Sequence, residues 1–251
     1  VEYRREFHKY PENGWREIRT SARIAEILTG MGYTCFMGEE VVNVDTIISL
    51  VRPDEAEVAM LKEQAVRQGA DPKFVEATGG IPGVIAEYDT GKKGPVTAFR
   101  FDIDCLPYDE PKNEGYRPYD EGFASVNPGA VHACGHDAHT ALLLGAAQIL
   151  KDMKEELCGT VKLAFQPAEE IGKGALAMIA EGAMEGVDAV FGQHIWAGVE
   201  SGKISIEAGP RMASAAQYEI KVQGKGGHGA MPAECIDAVT CSCAIVNSMQ
   251  T

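Results

Sequence analysis

Short apolar segments alternate with amphipathic ones along most of the chain. Segments rich in Val, Ile, Phe and Ala predict β-strands over residues 33–37, 83–88, 95–101, 161–165 and 187–191. Apolar residues at helical spacing predict helices over residues 15–31, 56–68, 72–77, 143–157, 175–181 and 235–249. Strands that alternate with helices of this length are typical of an α/β domain, with a largely parallel sheet flanked by helices.

The pattern changes after Ile206, and Glu207-Ala208-Gly209-Pro210 is typical of a domain boundary. Beyond it we expect a strand over 217–222, a glycine-rich turn over 224–229 and one helix, which are too few elements to enclose a core. We therefore predict a catalytic α/β domain over 1–208, with its C-terminal part missing. Residues 209–251 would be the start of a smaller α+β domain, also truncated.

Residues 39–80 differ in character from the rest of the first domain. They are rich in charged residues and helix formers, and Arg52-Pro53-Asp54-Glu55 indicates a helix start. We interpret this region as a solvated helical insertion that carries no chemistry of its own.

The most unusual segment is 131–140, which reads VHACGHDAHT. It places three histidines, a cysteine and an aspartate among small residues, whereas a core segment would carry larger apolar side chains. Thiolate and imidazole are the ligands that borderline-soft divalent metals prefer. A lone cysteine or histidine here would be read as a polar turn, but the whole cluster favours metal binding.

Further polar residues follow the predicted strands. Asp102 and Asp104 follow one strand, Glu169 and Glu170 another, and His194 a third. Since loops that follow parallel strands meet at one edge of a sheet, we expect these side chains to be neighbours.

Together, the cluster and the strand ends offer four mixed sulfur, nitrogen and oxygen ligands: Cys134, His136, Glu170 and His194. One member of the Glu169/Glu170 pair could ligate while the other acts as a general base. Asp104 could accept the free ring N–H of a ligating histidine, and Asp102 could do the same or cap a turn. His139 is expected to be structural.

His228, in the glycine-rich turn, allows two interpretations. It is either a surface residue or a donor that stabilises an oxyanion. The residues around it do not decide between them.

Composition narrows the classes of partner. The 251 residues carry a formal net charge of −14, which argues against nucleic acid and anionic membrane surfaces as partners. No apolar run approaches the roughly 20 residues that span a bilayer. The seven cysteines lack the spacing of a disulfide framework, so we expect free thiols in a reducing cytoplasm.

Five motifs in this order resemble the metallo-amidohydrolase family that includes aminoacylase, hippurate hydrolase and the plant auxin-conjugate hydrolases. They are RFDIDCLP at 100–107, HACGHDAHT at 132–140, FQPAEE at 165–170, HIW at 194–196 and GKGGH at 224–228. The insertion at 39–80 and the segment RPYDEGFAS at 117–125 resemble the members that cleave p-aminobenzoyl-glutamate.

The resemblance implies two divalent metal ions, zinc or manganese, with Cys134 bridging and the other three ligands as above. It assigns Glu169 as the base that deprotonates the attacking water and then protonates the leaving amine. It also implies a small-molecule substrate, an N-acyl or N-aroyl amino acid with p-aminobenzoyl-glutamate as a candidate.

For the second domain, the resemblance implies a lid that also forms a dimer. His228 would then reach into the partner's active site and stabilise the tetrahedral intermediate. A homodimer or higher oligomer is expected, optionally with a second kind of chain, and a further histidine ligand would come from chain beyond residue 251.

Two other classes of function stay open. The chain could be a metal- or amino-acid-binding protein without turnover. It could also be a thiol enzyme with Cys134 as nucleophile, although that leaves Glu170 and His194 unexplained.

Overall fold

The structure is a computed structural model that describes residues 1–47, 52–213 and 218–250. The chain separates into two compact units, Val1–Glu200 and Ser201–Thr251. Their functional assignment as a catalytic domain and the start of a lid stays a prediction.

The first unit contains seven α-helices and five strands within the described residues. The helices are α1 Glu2–Lys9, α2 Ile18–Gly30, α3 Glu55–Arg67, α4 Pro72–Ala77, α5 Arg117–Asp120, α6 His136–Asp152 and α7 Gly174–Ala180. The strands are β1 Thr34–Met37, β2 Val84–Asp89, β3 Val96–Asp102, β4 Thr160–Gln166 and β5 Ala189–Gly192.

The five strands form one sheet in the order β1-β2-β4-β3-β5. β3 pairs in parallel with both β4 and β5, whereas β2 is antiparallel to its neighbours β1 and β4. Only β2 therefore runs against the common direction, and the predicted largely parallel α/β fold is confirmed.

The centre of the sheet is buried on both faces. On β4, Leu163 and Phe165 are fully buried on one side, and Ala164 is 1% exposed on the other. The first face packs with helix residues that include Ile24, Leu28, Leu143 and Leu144. The second face packs with Trp15, Ala168 and Met178, among others.

Helix α6 begins earlier than its apolar pattern predicts. It starts at His136, inside the segment 131–140, because Gly135 takes a left-handed conformation (φ 102°) that turns the chain into the helix. It ends at Asp152, short of the predicted Leu157.

The region 39–80 is more closely packed than expected. Ala65 of α3 and Val75 of α4 are almost completely buried against Ile18 and Ala22 of α2. The expectation of a wholly solvated insertion is therefore wrong along this seam, since small apolar side chains let three helices approach closely.

In the second unit, α8 covers Ala238–Ser248, and the side chain of Asp237 accepts hydrogen bonds from the backbone N–H groups of Val239 and Thr240. Gln217 lies outside the described residues. The predicted strand is wrong for residues 218–222, which have no strand structure. Among the described residues of this unit no strand pairs with them, and an unpaired strand is not stable.

We expect Leu163→Ala to lower the free energy of unfolding by about 2–5 kcal/mol, because it leaves a cavity in the centre of the sheet. Leu176→Ala, at a position that is 60% exposed on α7, should change it by less than about 0.5 kcal/mol. Urea denaturation measures both changes. Equal effects of the two variants would contradict the central placement of β4.

Candidate metal centre

The parallel register brings the ends of three strands to one edge of the sheet. Asp102 of β3 is paired with Gln166 of β4, and Arg100 is paired with Gly192 of β5. The segments that follow these strands carry Asp104, the Glu169–Glu170 pair and His194, so the sheet delivers them to the same place.

The four residues predicted as ligands lie around the start of α6, and we call them the ligand cluster: Cys134, His136, Glu170 and His194. The candidate ligand atoms of Cys134, His136 and His194 all lie within 4.8 Å of one another. Cys134 Sγ is 3.5 Å from His194 Nε2, and His136 Nε2 is 3.8 Å from Glu170 Oε1.

Both imidazoles of the cluster present Nε2 to its centre. His136 Nδ1 lies 2.8 Å from the backbone oxygen of Asp104 and 3.3 Å from its Oδ1, so the Nδ1–H has an acceptor. His194 Nδ1 is 2.5 Å from the backbone oxygen of Ile195. These contacts favour the tautomer whose Nε2 lone pair is free for a cation.

The loop after β4 carries both glutamates and is held by two backbone N–H groups. The N–H of Ala168 donates to Glu17 Oε1 (2.7 Å), and that of Glu170 donates to Asp104 Oδ2 (2.9 Å). Glu169 lies between them, with its side chain 42% exposed and Oε2 4.0 Å from His136 Nε2. A carboxylate in this position faces both the cluster and solvent.

Both ring nitrogens of His139 have protein partners. Nδ1 is 2.6 Å from Asp102 Oδ1, and Nε2 accepts the N–H of Ile195 (2.9 Å). This leaves His139 without a lone pair for a metal, in agreement with its expected structural role. Asp102 also accepts from Arg100 (2.9 Å), so its partners are His139 and Arg100.

The cluster contains buried polar atoms that no other group satisfies. Within it, His136 Nε2 and Glu170 Oε1 have no hydrogen-bond partner, and neither has Asp104 Oδ1 beside it. Such atoms are rare in proteins because desolvation without compensation is costly. A carboxylate oxygen of Glu170 and a nitrogen lone pair of His136 beside the Cys134 thiol are donors that a divalent cation of the zinc class binds, so the residues of the ligand cluster fit such an ion.

The pKa values of Cys134 and His136 are also consistent with a cation site. Burial and the carboxylate of Glu170 raise the pKa of the Cys134 thiol to about 12. Burial opposes protonation of His136, but Asp104 and Asp102 outweigh it and raise its pKa to about 9. The protein therefore surrounds these groups with negative charge, which a bound dication would balance.

The pKa values of Glu169 and Asp102 are shifted in opposite directions. Burial, Glu170 and Asp102 raise the pKa of Glu169. Burial also opposes ionisation of Asp102, but its hydrogen bond with His139 and the charges of His136 and Arg100 lower its pKa to about 2. Glu169 is thus the stronger base of the two.

His228 belongs to the second unit, where its Nδ1 accepts the N–H of Ala230 (3.2 Å). Its role in catalysis stays a prediction. His132 is buried, and neither of its ring nitrogens has a partner.

A buried network of ion pairs next to the ligand cluster was not predicted from the sequence. His8 is 3% exposed, with Nδ1 2.8 Å from Asp137 Oδ2 and Nε2 2.7 Å from Glu110 Oε1. Arg4 Nε also contacts Asp137 (2.7 Å), the residue after His136. No local pattern signals these contacts, because the partners of His8 are 102 and 129 positions away.

The fold and the site together define an α/β protein with a candidate centre for divalent metal at the carboxyl edge of its sheet. Residues 98–247 match the family model "Peptidase family M20/M25/M40". The chain belongs to this family, and the resemblance seen in its motifs is confirmed.

Two curated relatives are named as hydrolases, which is the class of protein that the motifs led us to expect. The chain is 43% identical over 232 residues to one subunit of the p-aminobenzoyl-glutamate hydrolase of Escherichia coli (strain K12), covering 92% of this chain and 52% of the relative. It is 44% identical over 205 residues to the indole-3-acetyl-aspartic acid hydrolase of Enterobacter agglomerans, covering 81% and 47%.

The Bacillus subtilis YxeP protein, whose structure is described as a dinuclear metal binding peptidase from the M20 family, has a TM-score of 0.56 at 33% identity. That match covers 77% of this chain and 41% of the other. The chain spans about half the length of the curated relatives it matches. No helix in the described part of the chain is long and apolar enough to cross a membrane.

We expect His8→Gln to lower the free energy of unfolding by about 1–3 kcal/mol at pH 6, since it leaves buried carboxylates poorly paired. Burial opposes the charge of His8, but hydrogen bonds to Asp137 and Glu110 raise its pKa. The stabilisation is therefore complete below the ordinary histidine pKa of about 6.5 and is lost as pH rises through the raised folded-state pKa.

Urea denaturation of wild type and His8→Gln between pH 6 and pH 9 tests this expectation. The difference between the two proteins should shrink towards pH 9. Lys9→Gln, which removes a charge at the next position, should show no such trend. A difference that grows with pH would contradict the assignment.

We expect Cys134→Ala to weaken divalent-metal binding at least tenfold, because removing a ligand should cost no less than removing a partner of a ligand. Cys158→Ala, which removes an exposed thiol, should bind metal like wild type. Titration with zinc and manganese, followed by elemental analysis, measures this. Equal metal content in both variants would exclude the thiol from the centre.

Proposed function

We propose that the complete protein is a dinuclear metal-dependent amidohydrolase that cleaves the amide bond of N-acyl or N-aroyl amino acids. The observation that carries this proposal is the half-exposed Glu169 carboxylate beside buried ligand atoms that lack partners. Two divalent ions, zinc or manganese, would be held by Cys134, His136, Glu170 and His194. The YxeP structure, described as dinuclear, supports the number of ions.

The names of two relatives support a narrower substrate class. p-Aminobenzoyl-glutamate and indole-3-acetyl-aspartic acid both join an aromatic acyl group to an acidic amino acid through an amide. We therefore propose an aromatic N-acyl derivative of an acidic amino acid as the substrate, and p-aminobenzoyl-glutamate as the first compound to test.

In the proposed reaction the chain's own residues hold and move the proton. Bound metal would polarise the amide carbonyl and lower the pKa of water. Glu169 accepts the proton of the attacking water on a carboxylate oxygen and delivers it to the nitrogen of the leaving amine. Its position beside the cluster and open to solvent suits both steps, since a general base must lie within reach of the proton it takes.

The remaining assignments extend the proposal to the rest of the protein. Residues 1–208 would belong to the catalytic domain and residues 209–251 to a lid and dimerisation domain. His228 would stabilise the oxyanion from the lid of a partner chain. The Escherichia coli relative is named as one subunit of its hydrolase, which supports a second kind of chain in the assembly. The acidic composition and scattered thiols support a cytoplasmic location.

The alternatives are less consistent with the site. A thiol nucleophile needs a depressed pKa, whereas the surroundings of Cys134 raise it. A binding protein without turnover needs no carboxylate that faces both solvent and the ligand cluster, as Glu169 does.

We expect Glu169→Gln in the complete protein to lower kcat for p-aminobenzoyl-glutamate by about 10²–10⁴-fold, because the proton shuttle is removed. Metal content should be unchanged, since Glu169 is not proposed as a ligand. Hydrolysis is measured with p-aminobenzoyl-glutamate and a panel of N-acetyl amino acids, with the surface variant Glu156→Gln as control. Turnover by Glu169→Gln at the level of this control would rule out Glu169 as the base.

A further inference from the structure

Two loops from distant parts of the sequence are packed against each other beside the candidate centre. One precedes α2 and contains Gly14, and the other follows β4 and contains Ala168 and Ile171. A Cβ atom on Gly14 would lie 2.8 Å from the Ile171 side chain and 3.2 Å from Cα of Ala168. The first loop therefore fits the second with no room for a side chain at Gly14.

Both loops contain a buried non-glycine residue in the left-handed region. Trp15 has φ 64° and Ala168 has φ 52°; in the described part of the chain the only other non-glycine residue with positive φ is Lys173, which is exposed. L-residues adopt this conformation rarely, so surrounding contacts must hold it in place. The conformation of Ala168 matters because it sets the direction in which the chain enters Glu169.

The contact that holds Ala168 comes from Glu17. This side chain is completely buried, and its Oε1 accepts the backbone N–H of Ala168 at 2.7 Å, from 151 positions away. On the other side of Glu169, the N–H of Glu170 is held by Asp104. Glu169 thus lies between two backbone amides that are each fixed by a buried carboxyl group.

We propose that Glu17 is a positioning residue, which fixes Ala168 in its left-handed conformation and so aims the Glu169 carboxylate at the ligand cluster. The proposal rests on the proposed function, in which Glu169 is the base. Glu17 touches neither substrate nor metal in this role and acts only through the backbone of the loop.

A helix-capping role does not explain Glu17. It precedes α2, yet its side chain makes no capping hydrogen bond there. The N–H groups of Arg19 and Thr20 are accepted instead by Glu12, at 3.0 Å and 2.8 Å. Two buried glutamates of one segment therefore have separate tasks, and Glu12 provides a matched control.

The acceptor role requires an oxygen but no charge. Burial and the nearby carboxylate of Asp104 raise the pKa of Glu17 well above its ordinary value, so a neutral side chain is favoured there. Oε2 makes no hydrogen bond. Glutamine reproduces the neutral side chain and its acceptor oxygen, whereas methionine fills similar space without a strong acceptor.

The experiment compares Glu17→Gln, Glu17→Met and the control Glu12→Met in the complete metal-loaded protein. It measures kcat and KM for p-aminobenzoyl-glutamate, metal content, thermal stability and hydrogen exchange of the Ala168 amide. Glu17→Met should lose on the order of 10² in kcat with little change in KM, because the base is displaced. Its Ala168 amide should exchange faster, while Glu17→Gln stays near wild type in both properties.

Glu12→Met should reduce stability through the lost cap but leave kcat and the exchange of Ala168 close to wild type. The proposal is overturned if Glu17→Met keeps wild-type kcat and exchange, or if Glu17→Gln loses as much activity as Glu17→Met. If Glu17→Met does not fold, the test rests on kcat of Glu17→Gln and on hydrogen exchange of the Ala168 amide in wild type. An unprotected Ala168 amide in wild type would then overturn it.

Failure of the proposed function would look different. Wild type would then hydrolyse none of the amides, although Ala168 exchange would still respond to Glu17→Met. That result would retain Glu17 as the residue that holds the loop and remove the catalytic purpose assigned to it.

Discussion

Negative charge concentrated beside buried imidazoles is the interaction on which the candidate centre depends. Asp102, Asp104, Glu169 and Glu170 all approach the start of α6, where His136 has no exposed surface. Among these four carboxylates, the hydrogen bonds of Arg100 and His139 are made with Asp102. Of the oxygens on the other three residues, Asp104 Oδ1 and Glu170 Oε1 are buried without a hydrogen-bond partner, a costly arrangement that a bound cation would relieve.

The loops that carry the site residues are held in place by side chains rather than by regular secondary structure. Three backbone N–H groups, of Ala168, Glu170 and Ile195, donate to buried acceptors on Glu17, Asp104 and His139. Each acceptor comes from a different part of the chain. The geometry of the candidate centre therefore depends on contacts between distant parts of the first unit, a kind of support that makes a site rigid.

The sequence was most informative where chemistry and local pattern coincide. The strands that end at Asp102 and Gln166 were predicted from short apolar segments, and the rule for parallel sheets then placed the polar residues after them at one edge. The ion network around His8 could not be predicted, because its partners lie more than 100 positions away and none of them stands in a periodic pattern.

Packing between helices was the second feature that the sequence did not predict. The burial of Ala65 against α2 was not predicted, because the small alanine side chain contributes little to a hydrophobic pattern. The helix start at His136 was not predicted, because the apolar pattern of α6 begins at Leu143, about two turns later. Hydrophobic periodicity reports the large side chains of an element, so contacts made by small residues leave little trace.

The two histidines of α6 show how one backbone contact changes what a buried imidazole offers to a cation. His136 and His139 lie one helical turn apart on α6, and both are completely buried. His139 gives one nitrogen to Asp102 and the other to the N–H of Ile195, so it has no free lone pair. His136 is satisfied at Nδ1 by Asp104 alone, and its Nε2 is left without a partner. Residue type, burial and helix are the same for both, and the backbone N–H of Ile195 occupies Nε2 of His139 while Nε2 of His136 has no such partner.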